Sequence, residues 1–415
     1  MRFEKSVITN ANLEPLFTIG DIYVSDFIKN GESPKYPPSK LELAFDPISK
    51  VAQLTEQPCR EAMWGSQYWY LSSTNPQMKI ALKEVARDTI NCLPSSQNKE
   101  VFLDIAGNDS TLLSHVNNNK FTRVNIDPSD YPDAKNNAEV FIQDFFSKKS
   151  YFNSGLPPAR YITCCAMLYD TDKPNEFLQD VYAVLKHDGV FVVQVSYTPL
   201  MLIQTELGNI CHEHLCYYNL TSLKYLLETN GFILRDTELN NVNGGSIRIY
   251  AQKNISPNNF KTPADQDIAN IKIQSFLNWE EKEGYNSPQK YLEFFQAIQL
   301  LKEKTLNFLA KCRKEGKRVY GYGASTKAST LYQYFGINSE MVTKIAEVQE
   351  RKVGLKTIGT NIPICSEEEM RKERPDYLLV GPWFFLDNFK IREEKYLKQG
   401  GAFILTSPRF SIYKN

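Results

Sequence analysis

An α/β architecture is predicted for this chain: two doubly wound units joined by a helical connector and preceded by a small irregular region. Three observations predict it. Apolar runs of strand length alternate with amphipathic helical stretches from about residue 76 to 255, and the alternation returns from about 313 to 415. The length of 415 residues exceeds what one compact core accommodates. The expected division is 1–75, an N-terminal domain; 76–255, the first α/β domain; 256–312, a helical connector; and 313–415, a second α/β domain.

Residues 1–75 hold short strand-like pieces at 16–19 and 41–45, set between Pro- and Asn-containing turns. The stretch 78–91 carries apolar residues at helical spacing, and 101–105 is a strand of the fully buried kind. Further strands are expected at 123–126, 160–164 and 189–195, with a helix at 221–230. Strands separated by helices imply a parallel sheet. Residues 262–312, rich in Lys, Glu, Gln and Leu, read as helical. Beyond them the pattern gives a strand at 318–321, a helix at 325–335, and strands at 344–348, 377–380 and 402–405. No repeat of fixed period and no low-complexity tract is present.

Composition narrows the function. Lys plus Arg and Asp plus Glu both number 48, so there is no basic footprint of the kind a nucleic-acid binder shows. Met1 to Lys5 does not open a signal peptide, and no apolar stretch approaches the roughly 20 residues of a membrane span. The eight cysteines include no Cys-x-x-Cys pair and read as reduced thiols. A soluble cytoplasmic protein, bound neither to nucleic acid nor to membrane, is expected, as a monomer or small homo-oligomer.

The turn closing strand 101–105 is small and polar: Ala106, Gly107, Asn108, Asp109, Ser110. In a doubly wound fold this is where a nucleoside cofactor approaches the backbone, and an acid at the end of the next strand, here Asp127, accepts the ribose hydroxyls. Asp104 beneath the turn, and Asp144 with Phe145 after a third apolar piece, complete the candidate cofactor residues.

Two of the four histidines, His212 and His214, flank Glu213. On an extended segment both would face one way. Zinc needs further ligands at usable spacing, and none follows. A histidine near neutrality is the usual general base, and Glu213, Tyr217 and Tyr218 stand beside it. Downstream, Gly244, Gly245, Ser246 and Arg248 form a glycine turn leading into a strand with a cation, a place for a phosphate or a keto oxygen.

The residues at 104–113, Glu213-His214, the strand from Gly244 to Tyr250, and the run Gly321-Tyr322-Gly323-Ala324-Ser325-Thr326-Lys327 occur in one order. So do Lys352-Val353-Gly354, the run from Gly359 to Ile364, and Pro382-Trp383. In this, essentially the whole chain resembles the S-adenosylmethionine-dependent sugar C-methyltransferases. The resemblance implies a Rossmann-like methyltransferase domain, a second Rossmann-like domain contributing to nucleotide-sugar binding, and a nucleotide-linked 4-keto-6-deoxy sugar as substrate, hence a role in deoxysugar biosynthesis. It implies that His214 removes the proton beside the ketone, that Glu213 supports the base or holds the sugar, and that Tyr70 matches a family tyrosine. A second family tyrosine is replaced by Cys211, leaving its role vacant or taken by Tyr217. Gly245, Ser246, Arg248, Tyr322, Ser325, Lys327 and Glu347 fall to the substrate, with the 325–335 helix N-terminus and Lys327 suited to a pyrophosphate.

Two departures from the family stand out. Its N-terminal zinc module is built from paired Cys-x-x-Cys motifs, whereas Phe45-Asp46-Pro47-Ile48-Ser49 stands here, so no zinc is expected and the domain must be held by packing. Ala106 and Ser110 stand where glycines are usual, at a cost of about 1 kcal/mol or more each if positive φ is required. The alternatives are methyl transfer to an oxygen or nitrogen of a nucleotide sugar, and a nucleotide-sugar-binding relative without catalysis.

Overall fold

The computed structural model describes residues 1–64, 69–129, 131, 134–257, 259–261 and 266–414. The N-terminal strands are β1 (Glu14–Ile22), β2 (Phe27–Ile28), β3 (Ser39–Phe45) and β4 (Ala52–Leu54). Strands β1, β3 and β4 form an antiparallel sheet. Phe17 and Ile19 point to its covered face while Thr18 stays exposed, the period of two that a half-buried strand requires, and an irregularity between Thr18 and Asp21 shifts the phase so that Ile22 is buried and Asp21 exposed. The sheet packs on the long connector helix Pro288–Lys314, where Phe17 stacks on Phe295 with ring centroids 4.5 Å apart and Phe45 meets Tyr291.

In the turn after β3 lies the fully buried Asp46. Its carboxylate accepts from Ser6 Oγ (2.6 Å), Thr9 Oγ1 (2.8 Å), Ser49 Oγ (2.6 Å) and the Ile48 amide (2.9 Å). Burial alone would raise its pKa, but the bonds from Ser49, Ser6, Ile48 and Thr9 outweigh it and hold the group below the usual carboxylate range. A hydrogen-bonded carboxylate thus ties the turns together beside the expected packing. Among the described residues no group of three or more His, Cys, Asp or Glu could hold a metal.

The central domain contributes β5 (Glu100–Ile105), β6 (Phe121–Ile126), β7 (Val140–Ile142), β8 (Ala159–Cys165), β9 (Leu185–Ser196), β10 (Cys216–Tyr217), β11 (Phe232–Asn240) and β12 (Ser246–Lys253). Seven of them form a sheet in the order β11-β12-β9-β8-β5-β6-β7. Strands β5 to β9 are parallel and every residue of β5 is buried, as layers on both faces demand. The sheet is not parallel throughout: β11 and β12 are antiparallel, because only five residues join them and a parallel crossover needs about a dozen or more. Strand β10 leaves this sheet and pairs with Gln53 and Ala52 of β4, completing the N-terminal sheet.

The helix Pro76–Asn91 starts two residues before the periodic stretch at 78–91. The Asn75 side chain caps the Gln77 and Met78 amides, and Pro76 occupies the first turn. After the turn at 106–110 a full helix is not formed. A single 3-10 turn, Leu113–His115, stands there, and Asn117-Asn118-Asn119 ends it with side chains that compete for backbone bonds.

The connector is two helices, Gln266–Lys282 and Pro288–Lys314; residues 262–265 of the expected helical stretch lie outside the described residues. Buried Glu280 fastens it to the central domain, accepting from Tyr197 Oη (2.5 Å), the Leu220 amide (2.6 Å), and the Thr221 amide and hydroxyl.

The C-terminal domain holds β13 (Val319–Tyr322), β14 (Ile345–Glu347), β15 (Lys356–Thr357), β16 (Ile364–Ser366), β17 (Tyr377–Val380), β18 (Ala402–Leu405) and β19 (Ser411–Lys414). Six form a sheet in the order β16-β14-β13-β17-β18-β19, parallel except for β19. The seventh, β15, pairs with β2 and joins the two ends of the chain. No helix among the described residues is long and apolar enough to cross a membrane.

Candidate active site

All three domains line one cavity of about 910 Å³. Its wall includes Asp104, Ala106, Gly107, Asn108, Asp127 and Phe145 from the carboxyl ends of the central strands, Glu213 and His214 from the loop before β10, and Ser325, Lys327 and Glu347 from the C-terminal domain.

The turn after β5 is strained as its side chains suggest. Ala106, Asn108 and Ser110 have φ of 54°, 50° and 60°, the left-handed region that Cβ-bearing residues avoid. What holds them there is visible. The Ala106 amide donates to the Ile126 carbonyl (2.8 Å), and the Asn108 amide to Asp127 Oδ2 (2.8 Å). Asn125 Nδ2 donates to the Ser110 hydroxyl (2.7 Å), which itself donates to the Ala134 carbonyl (2.7 Å). Gly107 is the closest approach: a Cβ there would lie 2.6 Å from Asn125 Oδ1 and 2.8 Å from Asp104 Oδ2. Buried Asp104 accepts from Thr163 Oγ1 (2.7 Å), and burial, with a smaller contribution from Asp127, pushes its carboxyl up to about 7.

Asp109 and Asn108 also hold the segment that carries Tyr70. Asp109 Oδ2 accepts the Ser73 amide (2.9 Å) and Asn108 Oδ1 the Ser72 amide (3.1 Å). Asp109 therefore positions this strap and is not in the cavity wall. Trp69 is fixed from the other side by Asp26, whose Oδ1 accepts its indole N–H (2.8 Å), and by the Arg351 guanidinium over its ring. Tyr70 thus sits at the cavity, 44% exposed. Asp144 accepts the Phe145 amide (2.8 Å) and leaves the wall to Phe145.

The two histidines do not share a face, because residues 211–213 turn rather than extend. His212 is buried and its Nε2 meets the Ser39 carbonyl (3.0 Å) in β3, away from the cavity. His214 lines the cavity with Nδ1 2.8 Å from the Asn209 carbonyl. A carbonyl only accepts, so Nδ1 carries the proton and Nε2 keeps its lone pair. Desolvation lowers the His214 pKa to about 4, opposed by the Asn209 bond and reinforced by the Lys327 charge. The ring lies 4.3 Å from that of Tyr169.

Glu213 is 8% exposed, and its Oε2 has no hydrogen-bond partner among the described residues. Burial raises its pKa, with the Cys211 thiol acting the other way. Asp170 faces the same cavity with an unpartnered Oδ1, and burial together with Glu213 raises it well above the ordinary value. No sequence signal singled out Asp170, in a turn, or Asn209, at the end of the 3-10 turn Leu207–Asn209; neither carries a motif.

Several expected residues stand elsewhere. Tyr217 is buried in the β4–β10 seam, since its strand pairs with Ala52, and is not in the cavity wall. Arg248 projects from β12 toward the helix Pro76–Asn91, where it pairs with Asp88 (2.9 Å) and Glu238 (2.6 Å) and reaches Gln194. It has no free approach to a phosphate. Tyr322 donates to Glu393 (2.7 Å) inside the C-terminal core. Gly245, at φ 138°, packs on Leu200 and supports the turn, whereas Ser246 reaches the wall. Ser325 caps the helix Thr326–Phe335 by accepting the Ala328 amide. Glu347 accepts the amides of Ala324, Val348 and Gln349 (2.8–2.9 Å), so it braces the Gly323 turn at the cavity edge.

Residues 77–236 match a methyltransferase domain and residues 241–408 a C-methyltransferase C-terminal domain. The chain is 30% identical over 234 residues to the C-methyltransferase NovU of Streptomyces niveus, a match covering 56% of this chain and 54% of NovU. It thus spans about half the length of that curated relative. Among solved structures, the 1,6-didemethyltoxoflavin N1-methyltransferase of Burkholderia thailandensis has a TM-score of 0.33 at 14% identity, covering 44% of this chain and 80% of that one. The N-methyltransferase NodS of Bradyrhizobium japonicum has 0.32 at 12%, covering 43% and 97%. The resemblance to C-methyltransferases is borne out by both domain matches.

Proposed function

From a chain that carries both a methyltransferase domain and a C-methyltransferase C-terminal domain, we propose S-adenosylmethionine-dependent C-methylation of a nucleotide-linked 4-keto-6-deoxy sugar. The observation that carries it is His214: a neutral imidazole, locked by Asn209, whose free Nε2 belongs to the cavity that also receives the strained turn after β5.

The cofactor cradle fits. Only a glycine at 107 fits against the side chains of Asn125 and Asp104, the left-handed positions at 106, 108 and 110 turn the chain around that point, and Asp127 lies at the end of the adjacent strand. S-adenosylmethionine bound there supplies an electrophilic methyl group. Asp127 and the turn would hold its ribose and amino-acid parts, and Phe145 would border its base.

His214 Nε2 takes the proton from the carbon beside the ketone, a C–H bond acidic enough only next to a carbonyl. Glu213 and Asp170, both in the cavity wall, receive the sugar's hydroxyl or amino hydrogens. Tyr70, held at the rim by Asn108 and Asp109, closes the cofactor side. The C-terminal domain carries the nucleotide, near the N-terminus of the helix Thr326–Phe335.

Incubation with methyl-labelled S-adenosylmethionine and a panel of nucleotide keto sugars tests this reading. Label on a sugar carbon is the expected result; label only on oxygen or nitrogen, or none with any member, overturns it.

A further inference from the structure

The enolate that His214 would generate carries a negative charge in a cavity wall containing Glu213 and Asp170, with Glu206 buried nearby, and something must stabilise it. Taking the C-methylation reading above as its basis, we propose that Lys327 is the cation that stabilises this enolate, its ammonium facing the ketone oxygen while His214 faces the adjacent C–H.

The placement is unusual for a phosphate-binding lysine. Lys327 lies in the second position of its helix, and its main chain is pressed against Gly208. A Cβ on Gly208 would fall 2.6 Å from Lys327 Cβ and 2.9 Å from its carbonyl oxygen. Gly208 is the neighbour of Asn209, whose carbonyl fixes His214. The C-terminal domain therefore docks Lys327 directly on the loop that orients the base. The two are close enough for the lysine charge to act on the imidazole.

The ammonium is aimed by one bond to the Asn243 carbonyl (2.9 Å), presented by a left-handed Asn243, and by the face of Phe384, 4.8 Å from Nζ. An ammonium has three donors, and among the described residues one is engaged. The nearby Glu206 is held by two donors, its Oε1 accepting the Gly208 amide and its Oε2 the Trp383 indole N–H, and the Lys327 charge acts on it as well. Burial raises the pKa of Glu206, Glu213 and Asp170 alike, which weakens their repulsion of an enolate.

The electron count closes. His214 Nε2 takes the α-proton, the C–H pair becomes the C=C bond, and the carbonyl pair moves to the oxygen beside Lys327. The enolate carbon then bonds to the methyl group as its C–S bond breaks, the ketone re-forms, and the proton on His214 passes to solvent.

The test is solvent deuterium exchange at the carbon beside the ketone, followed by NMR with S-adenosylhomocysteine bound. Affinities for the keto sugar nucleotide and for the free nucleoside diphosphate are measured alongside by calorimetry. Lys327→Met should lose about 10²–10³ in exchange rate, the scale of removing one oxyanion donor, with nucleoside diphosphate affinity within about twofold of wild type on the same scale of comparison. Lys327→Arg keeps the charge and supplies the second readout should the Met variant fail to fold. Wild-type exchange should fall on an alkaline limb as the ammonium deprotonates, and the Arg variant should lack that limb. Undiminished exchange in Lys327→Met, an equal loss of nucleoside diphosphate affinity, or the same alkaline limb in Lys327→Arg overturns the assignment while leaving His214 catalysis standing. No exchange by the wild type overturns both.

Discussion

His214 Nδ1 and the Asn209 carbonyl oxygen, 2.8 Å apart, fix which nitrogen of the imidazole can act as a base. Changing His214 to Asn removes the lone pair at Nε2 while keeping a polar group of similar reach. Methyl transfer should fall by about 10²–10⁴, the usual contribution of a positioned base, with cofactor and sugar nucleotide still bound. His214→Asn should also abolish deuterium exchange. Undiminished turnover would hand the base role to Tyr70 or Glu213.

The pH dependence follows from the same geometry. With desolvation holding the His214 pKa near 4, the base is unprotonated throughout the neutral range. The acid limb of kcat/KM should therefore lie near pH 4 rather than near the ordinary 6.5. His212 is also lowered to about 4, again by desolvation. Both pKa values are depressed on folding, so these histidines destabilise the fold as pH falls from 6.5 toward 4, where the unfolded chain binds protons that the folded one does not. Denaturant titrations at pH 7 and pH 5 would show this loss.

Ala106 and Ser110 offer a matched pair. Ala106→Gly relieves a left-handed Cβ and loses no side-chain bond, so stability should rise, by up to about 1 kcal/mol. Ser110→Gly relieves the same strain but breaks the bonds to Ala134 and Asn125, and should destabilise. Chemical denaturation of the two variants separates backbone strain from hydrogen bonding at this turn.

Asp46 should matter more than any metal. Asp46→Ala strands the buried donors of Ser6 and Ser49, and a loss of about 3 kcal/mol or more is expected. Because its pKa is depressed on folding, the stabilisation by Asp46 is present above about 3.8, the ordinary value, and fades as pH falls through the lower folded one. A chelator should leave Tm unchanged; a fall in Tm that zinc restores would contradict this.

Arg248→Leu separates structure from recognition. With its partners Asp88, Glu238 and Gln194 left behind, the variant should lose about 2–3 kcal/mol of stability. Its sugar-nucleotide affinity should be unchanged by calorimetry. A loss of affinity at constant stability would return Arg248 to the substrate site.

The parts legible in the sequence were those set by local pattern. The buried run of β5, the small turn after it, Asp127 one strand away, and the Glu213-His214 pair all announce themselves by residue type and spacing. What stayed hidden depends on closure. Asn209 orients the base through a main-chain carbonyl, which no side chain advertises, and Asp170 reaches the cavity from an unmarked loop. Arg248 misleads because a glycine turn followed by a cation reads as a phosphate site. The antiparallel placement of β12 instead sends its side chain to the helix Pro76–Asn91. Strands separated by helices predict a parallel sheet and leave β11 unplaced; β12 runs antiparallel to β11 and β9, because the five-residue link before it is too short for a crossover.

The two-residue strand Cys216–Tyr217 follows His214 almost at once and is stitched into a sheet belonging to the N-terminal domain. The loop bearing the base is thereby a bridge anchored at one end in each domain. The N-terminal domain cannot be inherited or exchanged as a detachable cassette, nor trimmed away to leave a minimal catalyst: cutting it off would untie one end of the base's own tether. Any lineage that remodels this domain must keep the edge of β4 intact or lose the alignment of His214 with it.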